Sequence, residues 1–150
     1  MTAQIGTTAP DFTLPDQHGK PFRLRDEAGR WLVLAFYPGD DTPVCTRQLC
    51  DYRDGIEAFR DLDVEVVGIS ADDAASHRAF AEKHDLPFRL LTDADLAVAE
   101  RYDCRGLAGM KRGVFLLDPD QVCRWRHVET VALFRRRREE LLEAIREARG

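Results

Sequence analysis

Two cysteines stand five residues apart in a segment that could make one of them reactive. Residues 36–50 read FYPGDDTPVCTRQLC, so an apolar run over residues 31–37 is followed by a turn rich in proline, glycine and aspartate. Beyond the turn, apolar side chains recur from Cys45 to Phe59 at spacings of 4, 3, 4 and 3, which is typical of one helix face. The pattern predicts a buried strand over residues 31–37, then a helix that carries Cys45 in its first turn and runs to about Leu62.

A cysteine in this position can act as a nucleophile, because the thiolate is the form that attacks an electrophile. The first backbone N–H groups of a helix have no partners within the helix, and the helix dipole is positive there, so both favour a thiolate at Cys45. An ordinary cysteine thiol is only about 3% ionised at pH 7. A helix end contributes about 0.3–2 kcal/mol toward the thiolate. A nearby cation is therefore expected as well.

The order Pro38-x-x-x-Thr42-x-x-Cys45, placed after an apolar strand, resembles the active-site motif of the peroxiredoxins. The second cysteine, Cys50, resembles the branch of that family known as bacterioferritin comigratory protein or peroxiredoxin Q. The resemblance covers the chain from about Gly6 to its end. It implies a thioredoxin-like fold and a thiol peroxidase that reduces hydrogen peroxide and organic hydroperoxides in antioxidant defence, with no bound cofactor.

The resemblance also implies roles for residues around Cys45, which would attack the peroxide and become a sulfenic acid. Arg112, just before an apolar strand, would stabilise the thiolate and a peroxide oxygen with its planar, permanently charged guanidinium. Thr42 would offer its hydroxyl to the thiolate and the substrate, while Pro38 would shield the thiolate and hold the turn. Gln48, one helical turn after Cys45, would either orient Arg112 or be an exposed helix residue.

Cys50 is the candidate resolving cysteine, which would form a disulfide with Cys45. On an ideal helix, residues five apart have Cα atoms roughly 8.6 Å apart and point about 140° apart. A disulfide needs Cα atoms closer than about 7 Å. The first turns of the helix would therefore have to unwind, and thioredoxin or a similar dithiol would then reduce the disulfide. Cys104, expected in a loop, is the alternative resolving residue, and Cys123 is expected to be an ordinary strand residue.

The rest of the chain supplies the elements that must position these residues. Short extended segments at 7–14 and 21–24 predict an N-terminal β-hairpin, and Asp72 or Asp73 should cap a helix that leads to His84. The other predicted elements are strands at 64–70 and 86–91, a helix at 95–102, a hairpin of 113–118 with 121–128, and an amphipathic helix at 134–148 with Leu141, Leu142 and Ile145 inward. This order predicts an α/β, thioredoxin-like fold: a central mixed sheet flanked by helices, in one domain over residues 1–150.

Composition and charge restrict the classes of partner that the protein could bind. The 150 residues are 33% charged with a net charge of −5, which does not favour nucleic acid or an anionic membrane. No apolar run approaches the ~18 residues that a membrane span needs. Residues 1–10 lack the parts of a signal peptide, so we expect a cytoplasmic protein.

The arginine run at 135–138 precedes glutamates, which favours a solvated helix face with pairs such as Arg135–Glu139 and Arg136–Glu140. The resemblance implies a monomer.

Two other uses of the four cysteines stay open. Zinc sites usually contain Cys-x-x-Cys pairs, which this chain lacks, and its histidines are scattered and expected in surface or strand roles, so no metal is expected. The alternative function is a thioredoxin-like dithiol carrier, although such carriers usually have Cys-x-x-Cys and a proline near the place of Arg112. The chain also departs from the usual branch pattern, with Val44 for a common glycine and Gln48 for a frequent glutamate, and both changes bear on the shape of the pocket.

Overall fold

The computed structural model describes residues 3–107, 109–129 and 138–150, and these residues are built around one central sheet. In chain order the elements are β1 (Thr13–Pro15), β2 (Pro21–Arg23), a 3-10 turn (Leu24–Glu27), β3 (Trp31–Phe36), α1 (Pro43–Asp54), α2 (Ile56–Asp61), β4 (Val64–Ser70), α3 (Ala74–His84), β5 (Arg89–Thr92), α4 (Ala97–Arg101), β6 (Arg105–Gly106), β7 (Gly109–Met110), β8 (Gly113–Leu117), β9 (Cys123–Val128) and α5 (Arg138–Arg149). The sheet has the strand order β5–β4–β3–β8–β9. β3 pairs parallel with β4 and antiparallel with β8.

The central strands are continuous apolar runs because both faces of the sheet are covered. Successive residues of β3 alternate between the two faces, so that Leu32 and Leu34 join one buried cluster while Val33 and Ala35 join the other. The first cluster, which we call the α4 face, is completed by side chains from the N-terminal segment and α4. The second, the α1 face, is completed by side chains from α1, α2, α3 and α5. The predicted mixed sheet flanked by helices is confirmed.

The prediction of a single helix from Cys45 to about Leu62 is wrong. α1 ends at Asp54 and α2 begins at Ile56, with Gly55 between them at φ −98° and ψ 13°. Glycine is unfavourable inside a helix. A side chain at position 55 would also crowd α5, because a Cβ added there would lie 2.6 Å from Cδ of Arg138, the first residue of α5. The amphipathic pattern therefore continues through a break that lets α5 approach closely.

Most of the other predicted elements are present with shifted ends. The N-terminal hairpin is confirmed but shorter, since β1 pairs with β2 only from Thr13, and Thr8 instead makes an isolated bridge with Val122. Asp73, rather than Asp72, caps α3 by accepting a hydrogen bond from the Ser76 backbone N–H at 2.8 Å. The small β6–β7 hairpin was not predicted.

The last helix is confirmed over its described part. Leu141, Leu142 and Ile145 are buried as expected. Residues 134–137 of the predicted helix, and with them the pairs Arg135–Glu139 and Arg136–Glu140, lie outside the described residues. In the described part of the chain, no helix has the length and apolar character needed to cross a membrane.

Candidate active site

Cys45 lies in the first turn of α1, where the chain leaves the carboxyl end of β3. Thr42 is the N-cap and has an extended backbone. Pro43 is the first helical residue, a position where the backbone N–H has no partner within the helix, so proline costs no hydrogen bond there. The first helical hydrogen bond runs from the Thr46 N–H to the Thr42 carbonyl at 2.9 Å. The N–H groups of Val44 and Cys45 therefore have no partner within the helix. The Cys45 side chain sits beside them and is 1% exposed.

Arg112 is the cation expected near Cys45. It immediately precedes β8, and the pairing of Gly113 with Phe36 brings the start of β8 to the same end of the sheet as the start of α1. Arg112 Nη2 donates to Cys45 Sγ at 3.4 Å, and the arginine side chain is 2% exposed. The contact puts a permanently charged guanidinium against the sulfur.

Gln48 holds a second nitrogen of the same guanidinium. Arg112 Nη1 donates to Gln48 Oε1, and Gln48 Nε2 lies 3.2 Å from the Tyr52 hydroxyl. Gln48 is fully buried. The alternative in which Gln48 is an exposed helix residue is therefore wrong. Burial raises the pKa of Tyr52 well above its usual value, so this hydroxyl stays neutral next to the pocket.

Thr42 and Pro38 lie on the exposed turn rather than inside the pocket. The Thr42 hydroxyl donates to the Gly39 carbonyl at 3.0 Å, so in this structure it closes the turn instead of reaching Cys45 Sγ. The structure thus brings Cys45, Gln48 and Arg112 into contact and leaves the two turn residues exposed.

A buried polar network, not anticipated from the sequence, anchors this turn. The Asp40 carboxylate, 3% exposed, accepts hydrogen bonds from the Tyr37 hydroxyl at 2.6 Å and the Ser76 hydroxyl at 2.8 Å. His77 Nδ1 lies 2.7 Å from the same carboxylate, and His77 Nε2 donates to the Leu91 carbonyl at 3.0 Å. His77 is fully buried, so its expected surface or strand role is wrong. No local pattern signals the network, because its members come from the turn after β3, from α3 and from β5.

The other three cysteines differ in position and in burial. Cys50 is part-buried at the edge of the α1 face, and burial raises the pKa of its thiol. Cys104 and Cys123 are fully buried on the α4 face, so the sheet separates them from Cys45. Burial raises the pKa of Cys104 to about 12. All four are free thiols in this structure, and α1 is intact from Pro43 to Asp54.

Comparison with known proteins identifies the family. The model of the AhpC/TSA family matches residues 5–126. Peroxiredoxin Bcp of Bacillus subtilis is 41% identical over 139 residues, which is 86% of this chain and 88% of that protein. Chloroplastic peroxiredoxin Q of Arabidopsis thaliana is 56% identical over 88 residues, which is 59% of this chain and 41% of that protein. The crystal structure of peroxidoxin BcpB from Mycobacterium tuberculosis matches with a TM-score of 0.87 and 32% identity, over 98% of this chain and 99% of that one. The chain therefore belongs to the AhpC/TSA family and, within it, to the Bcp and Q branch of the peroxiredoxins, which are thiol-dependent peroxidases.

Proposed function

We propose that this protein reduces hydroperoxides with Cys45 as the nucleophile. The observation that carries the proposal is the 3.4 Å contact from Arg112 Nη2 to Cys45 Sγ, in a buried pocket at the start of α1. The thiolate attacks one peroxide oxygen, the O–O bond breaks, and its electron pair leaves on the other oxygen, which takes a proton to become an alcohol or water. The sulfur loses two electrons and becomes a sulfenic acid.

The groups around the sulfur are suited to the charge that moves during this step. Arg112 stabilises the thiolate before attack and can follow the negative charge as it passes to the departing oxygen. The Cys45 N–H at the helix start is a second donor for an oxygen. We further propose that the Thr42 hydroxyl exchanges its bond to the Gly39 carbonyl for one to the bound peroxide, while Pro38 limits access of water to the sulfur.

The sulfenic acid is then resolved by Cys50 in this proposal. The Cys50 sulfur attacks the Cys45 sulfur, the disulfide forms, and the sulfenic oxygen leaves as water. Cys50 is favoured over Cys104 because it lies on the same side of the sheet as Cys45 and is part-exposed. Since Cα atoms five residues apart on a helix are roughly 8.6 Å apart, α1 must unwind before the bond can form. Thioredoxin or a similar dithiol then restores both thiols by exchange.

Two measurements test the proposal. Cys45→Ser is expected to abolish peroxide consumption, while Cys123→Ser, a matched change at another buried cysteine, leaves it intact. Mass spectrometry after one equivalent of peroxide is expected to map a disulfide between Cys45 and Cys50. Normal turnover in Cys45→Ser would reject Cys45 as the nucleophile, and a disulfide from Cys45 to Cys104 would move the resolving role.

Three further expectations stay proposals: one domain over residues 1–150, a monomer, and a cytoplasmic location. One central five-stranded sheet with an apolar cluster on each face supports the first. Size-exclusion chromatography with light scattering tests the second. The Arabidopsis relative is described as chloroplastic, so location stays a prediction. The dithiol-carrier alternative gains no support from α1, in which the two cysteines lie on an intact helix.

A further inference from the structure

The Arg112 guanidinium meets a different partner at each of its three nitrogens. Nη2 donates to Cys45 Sγ, and Nη1 donates to Gln48 Oε1. Nε forms an ion pair with Oε2 of Glu129 at 3.7 Å, which is beyond hydrogen-bond distance, and the Glu129 side chain is 4% exposed. Within residues 3–107, 109–129 and 138–150, Glu129 is the acidic residue that pairs with this arginine. Glu129 has no part in the two reaction steps proposed for Cys45 and Cys50.

The backbone fixes Glu129 opposite Arg112. In the β8–β9 ladder Gly113 pairs with Val128, so the residue before Gly113 faces the residue after Val128. The Glu129 N–H donates to the Arg112 carbonyl at 2.8 Å, which extends the ladder by one pair. Directly opposed residues of an antiparallel pair have neighbouring side chains. The carboxylate is therefore held next to the guanidinium by the sheet itself.

We propose that Glu129 is a positioning residue for the peroxidase site, which acts on Cys45 through Arg112. It anchors the Nε edge of the guanidinium so that Nη2 points at the sulfur, and its charge sets the pH at which Cys45 ionises. The inference rests on the proposed function, because it assumes that the Cys45 thiolate is the attacking group. The Glu129 carboxylate and the Cys45 sulfur contact the same guanidinium, so the carboxylate competes with a Cys45 thiolate for its positive charge.

Removing the Glu129 charge therefore has two opposed effects. Ionisation of Cys45 becomes easier, because the thiolate no longer shares the guanidinium with a second anion. The reaction of the thiolate with peroxide becomes slower, because the guanidinium has lost the anchor that aims Nη2. Replacing a residue that only stabilises the fold would not make Cys45 easier to ionise and its thiolate slower to react.

Other polar groups near the carboxylate must be accounted for in any pH study. His127 Nε2 lies 3.6 Å from Glu129 Oε1, and the His127 side chain is 27% exposed. Tyr52 faces the same pocket through Gln48, but burial keeps its pKa far above the working range. A His127→Gln background separates titration of the imidazole from titration of Cys45.

The test titrates Cys45 by thiolate absorbance, with Cys45→Ser as the blank. For a unit charge about 8 Å from a thiol, Coulomb's law at an effective dielectric constant of about 20 corresponds to a shift of about 1.5 pH units. Glu129→Gln should lower the midpoint by that amount, and Gln48→Glu, which adds a carboxylate on the other edge of Arg112, should raise it. Gln48→Glu/Glu129→Gln should return it close to the wild-type midpoint. Glu57→Gln, an exposed glutamate of α2, is the matched control without a shift.

The rate of oxidation is measured separately, at a pH where Cys45 is fully ionised in each variant. Glu129→Gln is expected to react about tenfold more slowly with hydrogen peroxide than wild type. An unchanged midpoint or an unchanged rate in Glu129→Gln overturns the proposal. If Glu129→Gln does not fold, the double variant Gln48→Glu/Glu129→Gln provides the test. A Cys45 midpoint in the double variant as high as that of Gln48→Glu alone overturns the proposal. The titration uses no peroxide, so its failure leaves the peroxidase proposal standing, whereas a wild-type chain inert to peroxide rejects that proposal alone.

Discussion

Replacing Arg112 perturbs the centre of the proposed mechanism. Its Nη2 is 3.4 Å from Cys45 Sγ in a pocket where both side chains are almost fully buried. Losing one preorganised donor of this kind raises an activation barrier by roughly 2–4 kcal/mol. Since about 1.4 kcal/mol is a factor of ten in rate, Arg112→Ala should slow oxidation of Cys45 by roughly 30- to 1,000-fold.

The same change also has a structural consequence that must be measured alongside the rate. Arg112→Ala removes the guanidinium from the buried Glu129 carboxylate, and breaking a buried ion pair costs about 3–5 kcal/mol of stability. Arg112→Ala/Glu129→Gln removes both charges and should recover stability without recovering the rate. Arg112→Lys should recover only part of the rate, because an ammonium group cannot serve Cys45 and Gln48 as a planar fork does.

The assay is a stopped-flow measurement of a single oxidation with excess hydrogen peroxide, combined with urea unfolding of each variant. Arg124→Ala is the matched control, since Arg124 is on β9 but its side chain is 43% exposed and pairs with Asp118 at 3.2 Å. The control should keep the wild-type rate. A folded Arg112→Ala protein that oxidises within about twofold of wild type would refute the role given to Arg112.

Three other predictions concern the helix, the buried thiols and the turn. Hydrogen exchange over residues 42–52 should be slow in the reduced protein and fast in the disulfide form, and it should be intermediate in Cys50→Ser treated with peroxide, which stops at the sulfenic acid. Because burial raises the pKa of Cys104 to about 12, this thiol is protonated at pH 8; iodoacetamide should label it far more slowly than Cys50, and faster only as the pH approaches 12 or the protein unfolds. Asp40→Asn should lower the free energy of unfolding by about 1–3 kcal/mol in urea titrations, since it weakens the buried hydrogen bonds that the carboxylate accepts from Tyr37 and Ser76.

The position of Cys45 could be predicted from the sequence because it depends on local features. An apolar run, a proline-rich turn and a helical spacing of apolar residues are enough to place it in a first turn, and the structure has it there. Arg112 came only from the family resemblance, since nothing local links it to a cysteine far earlier in the chain. The break at Gly55 was missed because the residues on both sides, Tyr52 and Phe59, keep the same buried face.

The remaining parts of the site depend on pairings that a single sequence does not determine. Glu129 reaches Arg112 only because Gly113 pairs with Val128, and a register slip by one residue would turn its side chain to the other face of the sheet. The hairpin itself was predictable, but its register was not. The contact between Asp40 and His77 likewise depends on how α3 packs over the end of β3, which no local pattern encodes.

The proposed cycle requires α1 to be folded for the first step and partly unfolded for the second, and its two halves are held by different contacts. The C-terminal half is anchored in the core by Tyr52 and docked to α5, where the Asp51 carboxylate accepts a hydrogen bond from the Arg138 N–H at 2.9 Å. The N-terminal half begins at an exposed Thr42 that makes no side-chain cap, and it is held to the sheet through Cys45 and Gln48 on Arg112.

Oxidation acts on the weaker half. Once Cys45 becomes a sulfenic acid, it no longer carries the thiolate charge that attracts Arg112, so one of the contacts that holds this half is weakened. Unwinding through Cys50 must still expose Leu49, whose burial contributes about 1.5–3 kcal/mol, and release Gln48 from Arg112 and Tyr52. Tyr52 and Asp51 can stay in place, because only the residues from Cys45 to Cys50 must rearrange. In the proposed cycle, oxidation of the sulfur therefore removes a charge interaction that holds the N-terminal half of α1 folded, which couples the chemistry to the unwinding without any second ligand.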